Sequence, residues 1–182
     1  MADISRTRMT SEEFRELPET TQIVELIDGE MIVSPTPVDA HQRAILSLLR
    51  FLFQVVSTGT LRVAPLSVFL SETDALEPDI FWVRDSESRC HLRPDGYWYG
   101  PPDLVIEVLS PSTAKRDRGT KFKLYERYGV GEYWLIDPEA QFVEVFRQDG
   151  GHFVQQGLYG LGEPFVSLAL GGIAIEPNVI FS

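Results

Sequence analysis

The spacing of apolar residues changes several times along the 182-residue chain, and each change marks a different element. Near the start, TSEEFRELPE reads as a short helix that Thr10 or Ser11 caps and Pro18 ends. IVELIDGEMIVSP then carries two short alternating runs around Asp28 and Gly29, the two-residue signal of a β-hairpin. Over residues 41–56, Ile45, Leu48, Leu49, Leu52, Phe53 and Val56 recur at three- and four-residue spacing, which predicts an amphipathic helix.

After Gly59 the pattern turns to strands. LRVAPLSVFL (61–70) predicts one bent at Pro65, and residues 78–83 a second that starts at Pro78, where a missing N–H is tolerated. Residues 84–101 are polar and rich in Gly, Pro and Asp, so they read as a connection. Residues 103–109 form a third strand whose near-continuous apolar character implies burial on both faces and a central place. A helix follows, capped by Ser112 or Thr113 and ending near Gly129; EYWLID (132–137) is a fourth strand. FVEVFR, HFVQQGLY and the final GGIAIEPNVIF read as further β structure that finishes the sheet. A helix between the third and fourth strands requires a crossover and a parallel pair, so the expected class is α/β or α+β with a mixed central sheet.

Composition narrows the setting. A 43% hydrophobic chain of this length fits a single domain over residues 1–182. Its apolar runs are too short to span a bilayer and MADISRTRMTSEEF has no apolar core, so a cytoplasmic protein without membrane contact is expected. Cys90 is the lone cysteine, which leaves no internal disulfide and no thiolate cluster for zinc. The net charge of −11 opposes long-range attraction to nucleic acid. Residues 113–128, however, hold six basic and two acidic side chains, so this stretch is +4 and the remainder −15. That basic strip is either the ordinary solvated face of a helix or a place for phosphate.

The candidate chemistry lies in residues 102–138. Glu107 interrupts an apolar strand, and a carboxylate there requires a cation, a strong donor or a raised pKa. Asp103 points the same way but lies about 13 Å along the strand, too far to share a metal ion. Asp79, at the start of the neighbouring strand, is the natural partner if the two strands pair. Two carboxylates completed by water and phosphate are what a magnesium site uses. On the following helix Asp117, Lys121, Leu124, Tyr125 and Tyr128 fall on the inward side, with Arg116, Lys123, Glu126 and Arg127 toward the other. Lys121 either reaches the carboxylates or forms a simple ion pair with Asp117 four residues before it. His91 and His152 lack ligand-like spacing, and Trp82, Trp98 and Trp134 read as core.

Taken together, ELIDGE (25–30), His41 opening a helix, EPDI (77–80), PDLVIEVLSPST (102–113), Asp117, Lys121, Tyr125 and GVGEYWLIDP (129–138) resemble the Uma-two family of restriction-endonuclease-like proteins. The resemblance spans nearly the whole chain and places it in the PD-(D/E)xK nuclease superfamily. It implies a restriction-endonuclease-like core of helix, three strands, helix and strand, here with an N-terminal hairpin and a C-terminal β extension. Residue by residue, Asp79 matches the first metal-binding aspartate and Glu107 the second acidic position. The superfamily lysine two residues on is Leu109 here, and Lys121 on the following helix is its match. His41, Glu25 and Asp117 fall at supporting positions.

The resulting expectation is an endonuclease that uses Mg²⁺ or Mn²⁺ held by Asp79 and Glu107, with Lys121 completing the catalytic set. Its expected partner is nucleic acid, DNA foremost, and its expected state a homodimer. The alternative is a catalytically silent domain that uses the same fold for oligomerisation or partner binding, to which the −11 charge and the displaced lysine lend weight.

Overall fold

A computed structural model describes residues 8–18 and 20–182; the N-terminal stretch 1–7, part of the segment read for a leader, lies outside it. The chain opens with α1 (Ser11–Arg15), where Thr10 and Glu13 form a reciprocal capping box. The hairpin of β1 (Val24–Ile27) and β2 (Glu30–Val33) turns through Asp28 and Gly29, both with positive φ, and α2 (Asp39–Val55) follows. Next come β3 (Thr60–Val63), β4 (Val68–Phe69), β5 (Ala75–Leu76), β6 (Ile80–Val83), β7 (His91–Leu92), β8 (Trp98–Tyr99) and β9 (Leu104–Val108). Helix α3 (Ala114–Arg116) runs through a π-helical turn (Asp117–Lys121) into α4 (Phe122–Tyr128). The chain ends with β10 (Glu132–Asp137), β11 (Phe142–Asp149), β12 (His152–Tyr159), β13 (Phe165–Ser167), β14 (Ile173–Ile175) and α5 (Asn178–Phe181).

The strands form a six-stranded main sheet in the order β12-β11-β10-β9-β6-β3 and a second sheet in the order β2-β1-β5-β4-β8-β7, with β13 and β14 as a separate pair. In the main sheet β3, β6 and β9 run antiparallel, and α3 to α4 carries the chain over to β10, which pairs parallel with β9. This is the mixed α+β core of helix, three strands, helix and strand that the apolar pattern predicts.

Each face of the main sheet has its own core, as the two-residue period of β9 requires. Leu104, Ile106 and Val108 point to one side, where Ala44, Ile45, Leu48 and Leu52 of α2 and Ile180 of α5 pack. Val105 and Leu109 point to the other, against Leu124 and Tyr125 of α4 and Ile27, Val68, Leu76 and Trp98 of the second sheet. The result is three layers, with β9 buried along its whole length at the centre.

Several local expectations are corrected. The strand predicted for 61–70 divides at Ala64 and Pro65 into β3 and β4, which belong to different sheets, because proline donates no ladder hydrogen bond. Residues 84–101, expected as an irregular connection, contain β7 and β8; the Trp98 ring packs edge-on against Phe81 with centroids 5.7 Å apart and draws the loop onto the core. The continuous helix expected from Ser112 or Thr113 to Gly129 is broken by the π turn, whose middle residue Gly119 is a weak helix former. Neither expected cap operates, since the Ser112 and Thr113 hydroxyls bond Ser110 Oγ instead, each at 3.0 Å. At the C-terminus only Ile173–Ile175 is a strand; after Pro177 the chain coils into α5 and seats Ile180 in the core.

Leu48, fully buried where α2 meets the sheet, anchors one of the two cores. Leu48→Ala is expected to lower stability by about 2–5 kcal/mol, read as an earlier midpoint in urea denaturation with an unchanged slope.

Candidate active site

The two sheets meet at residues 77–79, a short crossover between Leu76 of the second sheet and Ile80 of the main one. The antiparallel register, with Ile80 opposite Ile106, places Asp79 opposite Glu107 at the end of the β6–β9 pair. Glu25 arrives from β1, His41 from the first turn of α2, and Asp117 and Lys121 from the π turn. All of these except Glu25 line one cavity of about 30 Å³, together with Glu77, Arg116, Ser34, Ser110 and Thr113. Glu25 is in contact with the group through Lys121.

Lys121 Nζ donates to Glu25 Oε1 at 2.8 Å and to Glu107 Oε1 at 2.9 Å, and lies 3.7 Å from Asp117 Oδ1. Of the two readings left open for this lysine, the carboxylate contact is therefore the closer one, and the pair with Asp117 is the longest of the three. Tyr125 Oη also donates to Glu107 Oε1, at 2.9 Å. Glu107 Oε2 receives only a long 3.4 Å bond from the Asp79 N–H. Asp79 is divided in the same way: Oδ2 accepts from the Val108 N–H at 2.8 Å and meets His41 Nε2 at 3.1 Å, while Oδ1 has no hydrogen bond among the described residues. Each carboxylate thus has one well-bonded oxygen and one left with a long bond or none, and both residues line the cavity.

Burial alone does not mark such groups as functional. Glu132 is equally buried, yet its oxygens accept from the Trp134 indole, Arg147 and the Leu168 and Ala169 N–H groups. Asp74 is satisfied by the Asp28 N–H, Ser71 and Tyr128. In the cavity group, by contrast, Glu25 Oε2, Glu77 Oε2, His41 Nδ1 and Arg116 Nε are buried without hydrogen-bond partners. Glu25 Oε2 and Arg116 Nε face each other at 3.6 Å as an ion pair, which leaves Glu77 Oε2 and His41 Nδ1 as the unanswered atoms of a kind native interiors hold few of.

Charge tells the same story. Five carboxylates (Glu25, Glu77, Asp79, Glu107 and Asp117) surround two permanent cations, Lys121 and Arg116. Burial, helped by the neighbouring acids, holds Glu107 well above the usual carboxylate range against the pull of Lys121. Asp117 is raised for the same reason. Burial of Glu77 outweighs its hydrogen bond from Ser67 and lifts it to about 7. Burial opposes the Lys121 charge, but Glu107, Glu25 and Asp117 outweigh it and keep the lysine an ammonium, well above its ordinary value.

This donor set fits a divalent cation: hard oxygens, excess negative charge and open positions on Asp79 and Glu107. Among the described residues no three His, Cys, Asp or Glu side chains form a ready-made cage, so water or substrate would have to complete the shell. Glu77 and Arg116 are the members that sequence reasoning missed. Glu77 stands two residues before Asp79, the spacing that puts two side chains on one face of an extended segment. Arg116, expected to face outward, turns inward to bond Ser34 Oγ and approach Glu25 at 3.6 Å, because the π turn changes the phase of the helix.

The model of the Uma2 family, described as "Putative restriction endonuclease", matches residues 11–178. A crystal structure described as "a putative nuclease belonging to DUF820 from Anabaena variabilis ATCC 29413" superposes with a TM-score of 0.75 at 24% identity, covering 95% of this chain and 97% of the other. The type IIG restriction endonuclease BpuSI is similar over 81% of this chain and 17% of its own, with 14% identity and a TM-score of 0.42. No curated protein matches the chain.

The raised Glu77 gives a pH signature. Its folded value, about 7, lies above the ordinary 4.5, so the folded protein holds this proton more tightly than the unfolded chain does. That contribution to stability is complete below about pH 4.5 and is lost as pH rises through 7. Glu77→Gln, which cannot ionise, is expected to gain about 1–2 kcal/mol relative to wild type between pH 5 and pH 8 in EDTA, after allowance for solvent screening. Urea denaturation at several pH values measures this, and a difference independent of pH would contradict it.

Proposed function

The chain belongs to the Uma2 family of restriction-endonuclease-like proteins, and from that premise we propose that it is a metal-dependent nuclease that hydrolyses phosphodiester bonds, with DNA as its principal substrate. The observation that carries this reading is the buried surplus of carboxylate around Lys121, with one oxygen of Asp79 and one of Glu107 left lightly bonded or unbonded among the described residues. Asp79 and Glu107 would hold Mg²⁺ or Mn²⁺. When bound, the ion supplies a Lewis acid for the phosphate and a lowered pKa for its water.

The chain's own residues do the rest. The Val108 N–H and His41 fix Asp79, and Tyr125 and Lys121 fix Glu107, so neither carboxylate has to reorganise when substrate arrives. Lys121 carries a positive charge bonded to Oε1 of Glu107, the oxygen next to the lightly bonded Oε2, and from there it can stabilise negative charge developing on a phosphate. Glu77, poised near neutrality, can take up a proton from an attacking water. The rival reading, a silent domain, draws on the small cavity, which holds about one water until a side chain moves.

A cleavage assay separates the two. Supercoiled, linear, single-stranded and branched DNA and RNA are incubated with Mg²⁺ or Mn²⁺ beside Glu107→Gln and Asp79→Asn, each checked for folding by circular dichroism. Wild type is expected to cut at least one substrate, and each variant to lose about 100-fold or more. Equal cutting by all three removes the site assignment. No cutting, together with no Mn²⁺ binding by calorimetry, makes the silent domain the better reading.

A further inference from the structure

The basic strip is not an evenly solvated helix face. Its two acids point away from solvent or toward another element: Asp117 is buried in the cavity group, and Glu126 accepts the Phe153 N–H and meets His152 of β12. Arg118 turns aside as well, to Glu144 of β11. Lys115, Arg116, Gly119, Thr120, Lys123, Leu124 and Arg127 are left on one side, at the spacing of a single helical face. With Asp28 and Ile32 of the hairpin and Ser112, they line an open groove of about 720 Å³.

Within that groove the cations are unequal. Arg127 lies 3.5 Å from Asp74 and 3.9 Å from Asp28, so much of its charge is answered. Lys115 and Lys123 are exposed and make no ion pair among the described residues. Arg116 lines both the groove and the cavity that holds Asp79 and Glu107, and so joins the two. From Lys115 to Arg127 the helix runs about 18 Å at ~1.5 Å per residue, the length of roughly five phosphates on one strand of a duplex.

We infer that this groove seats the backbone of a nucleic acid, with Lys115 and Lys123 on phosphates about 12 Å apart and Arg116 at the point where the groove meets the cavity. The inference rests on the nuclease reading for its choice of polyanion and adds where, and in which orientation, that polymer lies. Because the rest of the chain sums to −15, this face is the attractive one, and repulsion elsewhere orients the encounter.

The test reads binding and not turnover. Fluorescence anisotropy in EDTA follows a labelled 20-mer as duplex DNA, single-stranded DNA and RNA, over a series of KCl concentrations. The proteins are wild type, Lys115→Gln/Lys123→Gln and, as a control on the opposite face of the main sheet, Arg50→Gln. Losing two phosphate contacts is expected to flatten the slope of log K against log [KCl] by about 1.8 on duplex or 1.4 on a single strand, with Arg50→Gln unchanged. The form most affected identifies the polymer. An unaltered slope in the double variant, an equal effect of Arg50→Gln, or no binding by wild type at low salt would each overturn the groove. Salt-dependent binding lost in the double variant supports the groove even if wild type cuts nothing, an outcome that would remove the catalytic reading alone.

Discussion

The arrangement depends on one ammonium group. Lys121 Nζ bonds Glu25 of the second sheet and Glu107 of the main sheet at the same time, so a single charge ties the two β layers together where their own cores end. Removing it would leave two carboxylates facing each other in a buried space, an error that costs about 3–5 kcal/mol where it has been measured in other proteins. The π turn is what delivers this lysine. It brings Asp117 and Lys121 inward together, while the helix on either side keeps Lys115 and Lys123 in solvent.

The site is held in place while some of its carboxylate oxygens stay lightly bonded. Glu132 and Asp74 show what this fold does with an acid it needs only for structure: every available oxygen is answered by a nearby donor. Asp79 and Glu107 are answered by half, through Val108 and His41 in one case and Tyr125 and Lys121 in the other. Donors placed on strands and on a packed helix set the carboxylate planes, so the open oxygens have fixed directions before any ligand arrives.

Much of this was legible in the sequence because it follows from short-range rules. The period of two in β9 placed Glu107 on a buried face, the helical period placed Lys121 inward, and the proline before Asp79 marked the start of a strand that pairs beside Glu107. Beyond the β1–β2 hairpin, the second sheet was not legible. β4, β5, β7 and β8 are two residues each, too short for any period to register, and they exist because Trp98 and Phe69 found partners far away in sequence. Without that sheet nothing showed that Glu25 would meet Lys121, or that Glu77 would sit on a crossover between layers. Arg116 escaped for a different reason: one π turn is enough to shift the phase of a helix, and Gly119 within a basic run is a faint sign of it.

The cluster around Lys121 also sets stability against use. Buried ion pairs of this kind are often replaced by packed apolar side chains with no loss of stability, and sometimes with a gain. The seam between two well-packed cores is a place where Leu or Met in place of Glu25, Glu107 and Lys121 would fill space without repulsion. A lineage of this fold selected for endurance alone would drift toward that greasy seam and fall silent. A lineage that keeps the acids carries a standing electrostatic load, which the folded state tolerates only because the layers on either side hold it closed.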